Sequence, residues 1–178
     1  MTDNEFWQIL SGILTPLVTG IEPTITLVNG FQPNAQGAPL NPLVSFFIIS
    51  TKRYGWQGSS DTYNELVDDF DHSENWIVER TIQVSAMVKQ DPENLDQITA
   101  FDIVNALSAL LQSDSVIRLL KAAKIGILRV TDIRETFIND ESAQHTETPS
   151  FDFIVTYSNK AETKAPVVIE LNATIQTV

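Results

Sequence analysis

The sequence predicts an α+β fold: a mostly antiparallel or mixed sheet with helices packed on one face. Three observations predict it. The stretch WIVERTIQVSAMV, Trp76 to Val88, alternates almost strictly, the period of a strand with one face on a core. The segment from about Leu95 to Leu111 repeats at helical spacing, with Ala100, Ile103, Val104, Leu107, Leu110 and Leu111 in a stripe opposite Asp102, Asn105 and Gln112. The later strands are joined by connections too short for helical crossovers, which favours antiparallel pairing with the helices grouped together. A chain of 178 residues, 43% of them apolar, is expected to form one domain and to bury roughly 70% of its unfolded surface.

The first element is an amphipathic helix. Thr2 to Glu5 has capping-box spacing, and Phe6, Ile9, Leu10, Ile13, Leu14 and Leu17 follow at helical intervals. Pro16 is expected to stop or kink it, because it has no N–H for the helix ladder. TITLV after Pro23 reads as a short strand halted by Asn29 and Gly30. The Pro-, Gly-, Asn- and Gln-rich stretch from Asn29 to Pro42 then reads as an extended arm. Leu43 to Thr51 is apolar on both alternating faces and is expected to be a central strand.

The following KRYGWQGSSD reads as an interruption, with Gly55 and Gly58 in a turn-like context. Its rings, Tyr54 and Trp56, either close one end of the core or face a partner. The strand from Trp76 to Val88 raises a related choice, since Arg80 stands where an apolar residue is expected. Either it snorkels near an edge or pairs with a carboxylate of the same subunit, or that face meets another chain. After the long helix, Ser113 or Asp114 caps a second short helix through Ala122, and a strand follows from about Lys124 to Thr136. INDESAQHTETPS is a polar loop without periodicity. Phe151, Phe153, Val155 and Tyr157 share one face of a strand, as do Val167, Ile169, Leu171, Ala173 and Ile175 near the C-terminus.

Composition narrows the function. The formal net charge is -12, which argues against a sequence-reading nucleic-acid binder but suits a passage through which DNA slides without sticking. Only 19% of residues are charged, fewer than the usual quarter, as on a surface covered by partners. The chain has no cysteine, so it has no disulfide, thiolate nucleophile or Cys-based zinc site. No basic leader and no run of roughly 18 apolar residues appears, so the chain is expected to be soluble and unexported, with no membrane partner.

Catalytic and binding motifs are absent. His72 and His145 lie in polar contexts with no second histidine or metal-like carboxylate spacing beside them. DDFDHSE, Asp68 to Glu74, is the densest carboxylate cluster, but it lacks the pattern and turn glycine of an EF-hand and reads as a solvated acidic loop. No P-loop, nucleophile elbow or dinucleotide fingerprint occurs. The sequence therefore predicts no catalytic residue, no cofactor and no metal, and leans toward assembly.

Taken with the order of elements, the segments YGWQGSSDTYN, ENWIVERTIQVSAMV, ITAFDIVNALSALLQSDSVIRLLKAAKIGIL and PSFDFIVTYSN resemble the neck proteins of contractile-tailed phages known as tail terminators or gateway proteins. The resemblance runs from about Leu43 to Ile175. It implies a tail-terminator-like α+β fold and a homo-oligomer, as a hexameric ring, on the last ring of tail tube protein. It further implies docking of the head–tail connector or collar protein, possible contact with the tail sheath, and DNA passing through the lumen. The protein would then reside in the virion, after assembly in host cytoplasm. Arg53, Arg80 and Arg129, with Tyr54 and Trp56, are the candidates for subunit or partner contacts, because arginine and aromatic residues are favoured at interfaces. The other readings are a head–tail completion protein at a neighbouring neck position, and a small enzyme or ligand-binding domain with a site built from the acidic loops.

Overall fold

Our computed structural model describes residues 1–30, 41–65, 69–91, 93–94, 96–139 and 145–166. Most of the arm expected between Asn29 and Pro42, and the C-terminal strand expected from Val167, lie outside the described residues. Helix α1 spans Asp3–Ile21. Its capping box forms as expected: the Glu5 N–H donates to Thr2 Oγ1 at 3.3 Å and the Thr2 N–H to Glu5 Oε2 at 2.7 Å. The helix buries Phe6, Leu10, Leu14 and Val18, one residue per turn.

Pro16 neither stops nor ends α1. An interior proline costs about 3 kcal/mol, largely through the lost bond to the carbonyl four residues back. That carbonyl belongs to Gly12, and both residues lie on the exposed side, where the freed oxygen is open to solvent. On the opposite side Leu17 is half-buried and Val18 fully buried. Burying such side chains gains about 1.5–3 kcal/mol each, enough to carry the helix past the proline.

The five-stranded sheet is built from β1 (Thr26–Asn29), β2 (Leu43–Asn64), β3 (Asp69–Met87), β4 (Ile125–Val130) and a long strand, Ser150–Pro166. A small hairpin, β5 (Phe137–Asn139) and β6 (His145–Glu147), precedes that last strand, which is therefore β7. The sheet order is β1-β2-β3-β7-β4. It is mixed: β1 runs parallel to β2 and every other neighbour is antiparallel. Helices α2 (Ala100–Leu111) and α3 (Asp114–Ala122) join α1 over one face.

The register explains that face. Phe46, Val84 and Phe151 stand side by side across three strands, as do Ile48, Ile82 and Phe153. Nearly all these rings and branches are buried with Ile103, Leu107 and Leu111 of α2 and Val116 and Leu120 of α3. Leu43 to Thr51 does not form the central strand: β3 holds that place, and β1 covers only the first residues of the outer side of β2. The apolar residues on the second face of β2 signal a partly exposed surface rather than burial on both sides, with Ile49 45% exposed.

Other boundaries shift for local reasons. Helix α2 starts at Ala100 rather than near Leu95, because Thr99 and Asp102 close a capping box there. Ser113 caps α3. The strand expected through Thr136 ends at Val130, after which an isolated bridge joins Arg134 and Ser150. The loop expected after Ile138 holds the β5–β6 hairpin, with residues 140–144 outside the described residues.

Candidate assembly interface

Beyond Tyr54, Trp76 and Tyr157 the strands β2, β3 and β7 run on together, paired to Asn64, Asp69 and Pro166. Neither β1 nor β4 follows them. From Ile49 to Tyr63 every residue of β2 is exposed, so this extension has left the helical layer. KRYGWQGSSD is strand, not an interrupting loop. The strand carries two bulges, one between Ile48 and Ser50 and one, holding Gly55, between Tyr54 and Gly58. Gly55, at φ 77°, takes the left-handed backbone that the second bulge needs.

That bulge pushes Trp56 out, 99% exposed. Tyr54 stands opposite Ile77 on the helix-free face, 53% and 43% exposed. Arg53 turns to the other face, its guanidinium 5.1 Å from the Trp76 ring centre and Nη1 donating to Gln57 Oε1 at 3.3 Å. Tyr54 and Trp56 therefore do not close the core; both present apolar surface to solvent.

Arg80 behaves differently. It is 9% exposed and lies on the core face beneath α1. Its Nη2 reaches Asp3 Oδ1 at 2.6 Å, and the guanidinium sits 4.7 Å from the Phe6 ring and 5.3 Å from the Tyr157 ring. Among the described residues Arg80 thus has its acid within the subunit. Burial, its largest cause, raises the Tyr157 hydroxyl pKa above its ordinary value, and the Arg80 charge partly offsets that. Arg129 is exposed on β4, the opposite sheet margin from β2. The five residues singled out from the sequence consequently separate into a group on β2, one interior residue and one on the far edge.

The extension is held by short cross-strand contacts. Ser60 and Ser73 hydroxyls lie 2.9 Å apart, Tyr63 packs on Phe70 with ring centres 5.3 Å apart, and Asn64 Nδ2 donates to Asp71 at 3.2 Å. His72 lies between two acids, with Nδ1 2.5 Å from Asp61 and Nε2 3.6 Å from Glu74. The hydrogen bond to Asp61, foremost, raises its pKa above the ordinary histidine value. A trough of about 450 Å³ runs beside it, lined by polar side chains of β3 and β7 including Lys160, Glu162 and Lys164. No group of three or more His, Asp or Glu side chains among the described residues is placed to hold a metal ion. The DDFDHSE cluster is strand at its described positions, rather than the loop its composition suggests.

Sequence reasoning picks Arg129 alone from the far edge. Residues 115–130 contain Arg118, Lys121, Lys124 and Arg129 and no acid, in a chain with 11 Lys and Arg against 23 Asp and Glu. That charge run is the signal that reaches the other three.

Comparison with known proteins bears on the fold and the family. No curated protein matches the chain. A solved chain described as the sheath/tube terminator of an extracellular contractile injection system, PVC, in its extended state, shares the fold with a TM-score of 0.53 at 11% identity. The match covers 100% of this chain and 64% of that one, so the chain spans a little under two thirds of its length. The family described as E217 gateway protein gp29 matches residues 8–167. The helix-on-sheet fold and that match together identify the chain as a member of the E217 gateway protein gp29 family.

Proposed function

We propose that the chain is a structural virion protein that caps the end of a contractile tail's tube as a ring, stops tube growth and forms the surface on which the head connector docks. The observation that carries the proposal is a bare three-stranded extension with an open outer edge, in a chain of the gateway family. From Ser50 to Thr62 the outer edge of β2 pairs with no other strand among the described residues. Such an edge is a template for another chain, and its bulges, Lys52 and Arg53 restrict which chain can use it.

Termination follows from asymmetry. One face of the ring engages the last tube ring, and the opposite face offers no edge on which another tube ring could add. Six contacts closed by symmetry act together, so each can be modest. An acidic balance keeps DNA moving through the lumen rather than bound to its wall. Sheath and collar proteins are the further partners of a ring in this place.

The test is tube growth in the purified system. Tail tube protein polymerised with this chain should give tubes of limited length with a ring at one end in negative stain. Tubes that lengthen freely and carry no added density would refute the capping role.

A further inference from the structure

The α3–β4 margin combines features that folding alone does not explain. Arg118, Lys121, Lys124 and Arg129 are all exposed there, and among the described residues Arg118 alone of the four is paired to an acid, Asp114, at 2.6 Å. Between them Ile117, Leu119 and Leu128 are 37%, 53% and 57% exposed. Lys124 holds φ 61°, where glycine is the favoured residue just past a helix end. Strain kept at a charged, exposed residue points to a use for that residue. Strand β4 also leaves its outer edge without a partner strand among the described residues.

The complement is on the same chain. Residues 58–65 and 69–75, the far parts of β2 and β3 with the turn residue after β2, hold five acidic residues and no Lys or Arg. They also carry the exposed ring pair Tyr63 and Phe70. Beside these residues β7 contributes Lys160 and Lys164. One margin of the sheet is thus basic with aliphatic groups, and the hairpin toward the other margin is acidic with aromatic groups.

We propose that the α3–β4 margin seats the acidic β2–β3 hairpin of a second copy of this chain, joining copies head to tail. The proposal rests on the ring reading above and names its seam. Two different patches on one chain make a heterologous contact, which closes into a ring when the rotation per copy permits. A nucleic acid is the weaker occupant, because phosphates would use the four cations but leave three apolar side chains uncovered.

The experiment is a charge swap read by light scattering and negative stain. One variant carries Lys121→Glu, Lys124→Glu and Arg129→Glu; the other carries Glu65→Lys and Asp71→Lys. Each alone should associate at least about tenfold more weakly than the unaltered chain, and an equal mixture should restore rings, because each reversed patch then meets its opposite in the other variant. Association of the unaltered chain should also weaken between about 0.1 and 1 M salt, as the Debye length falls from about 10 to 3 Å. Circular dichroism confirms folding, and Lys121→Glu alone serves if the triple variant does not fold. Rings formed by both variants alone, or a mixture that stays dissociated, would overturn the seam while leaving capping intact. Reversed cations that abolish DNA retention but not rings would give the margin to nucleic acid and also overturn the seam. An unaltered chain that is monomeric both free and with tubes would overturn the seam and the ring reading together.

Discussion

Replacing Arg80 with methionine should change stability by less than about 1 kcal/mol, although it removes a buried cation and its ion pair. The residue is 9% exposed, whereas the Asp3 side chain is 63% exposed, so water screens much of their attraction. Nε and Nη1 are buried and make no hydrogen bond among the described residues. That desolvation opposes the pair and the contacts with Phe6 and Tyr157, which are worth about 0.5–2 kcal/mol. Methionine keeps most of the packing and has no polar atom to satisfy. Asp3→Asn, by contrast, leaves the buried charge unpaired and removes an acid from the first turn of α1. It should cost about 1.5 kcal/mol, of which the helix dipole supplies about 0.5. In the Arg80→Met background only the dipole part remains, so the double-mutant cycle should give a coupling of about 1 kcal/mol. Urea unfolding followed by circular dichroism at matched protein concentration measures all four. A cost above about 2.5 kcal/mol for Arg80→Met, or equal costs for Asp3→Asn in both backgrounds, would refute the reasoning.

Three further outcomes follow from local geometry. The pKa of His72 is raised in the folded chain, so its contribution is fully present below the ordinary histidine value of 6.5 and is lost as pH rises through the folded value. An NMR titration should place it above 6.5, and Asp61→Asn should bring it down. Thr99→Ala should cost about 1 kcal/mol by removing the α2 cap. The Thr99 hydroxyl bond, foremost, lowers the Asp102 pKa below 3.8, so this difference in unfolding free energy should hold above that value and shrink as pH falls through the folded one. Lys124→Gly should raise stability by about 0.5–1 kcal/mol in thermal or urea unfolding by relieving φ 61°. If the basic margin is the ring seam, the same change should weaken self-association.

The helical layer was largely legible in the sequence because its signals are local. The capping box at Thr2, the stripe from Ala100 to Leu111 and the alternation around Ile82 each depend on residues a few positions apart. The extension was harder to read. Gly55 and Gly58 suggest a turn, and nothing nearby reveals that β3 arrives to pair along this stretch, with β7 on its other side. Bulges and turns draw on the same glycines, and only long-range pairing separates them. Arg80 poses the same difficulty, since Asp3 is distant in sequence and becomes its partner only when α1 lies across β3. Of the far margin, Arg129 was legible as a residue type, whereas its neighbours emerge from charge patterning.

The division into a covered and a bare half of one sheet bears on how a capping protein can work. Under the helices, cross-strand neighbours such as Phe46, Val84 and Phe151 are sealed from water, and that burial holds the subunit together. In the extension, residues on both faces of β2 meet solvent, so its order rests on hydrogen-bonded pairing, a few polar contacts and the Tyr63–Phe70 pair. Such a segment contributes little apolar burial to the fold of its own subunit. It can contribute much more once a neighbouring surface covers Trp56, Tyr54 and Ile77, which are apolar and exposed in the free chain. A subunit of this kind has a stable core before assembly and keeps its largest unburied gain for the contact itself.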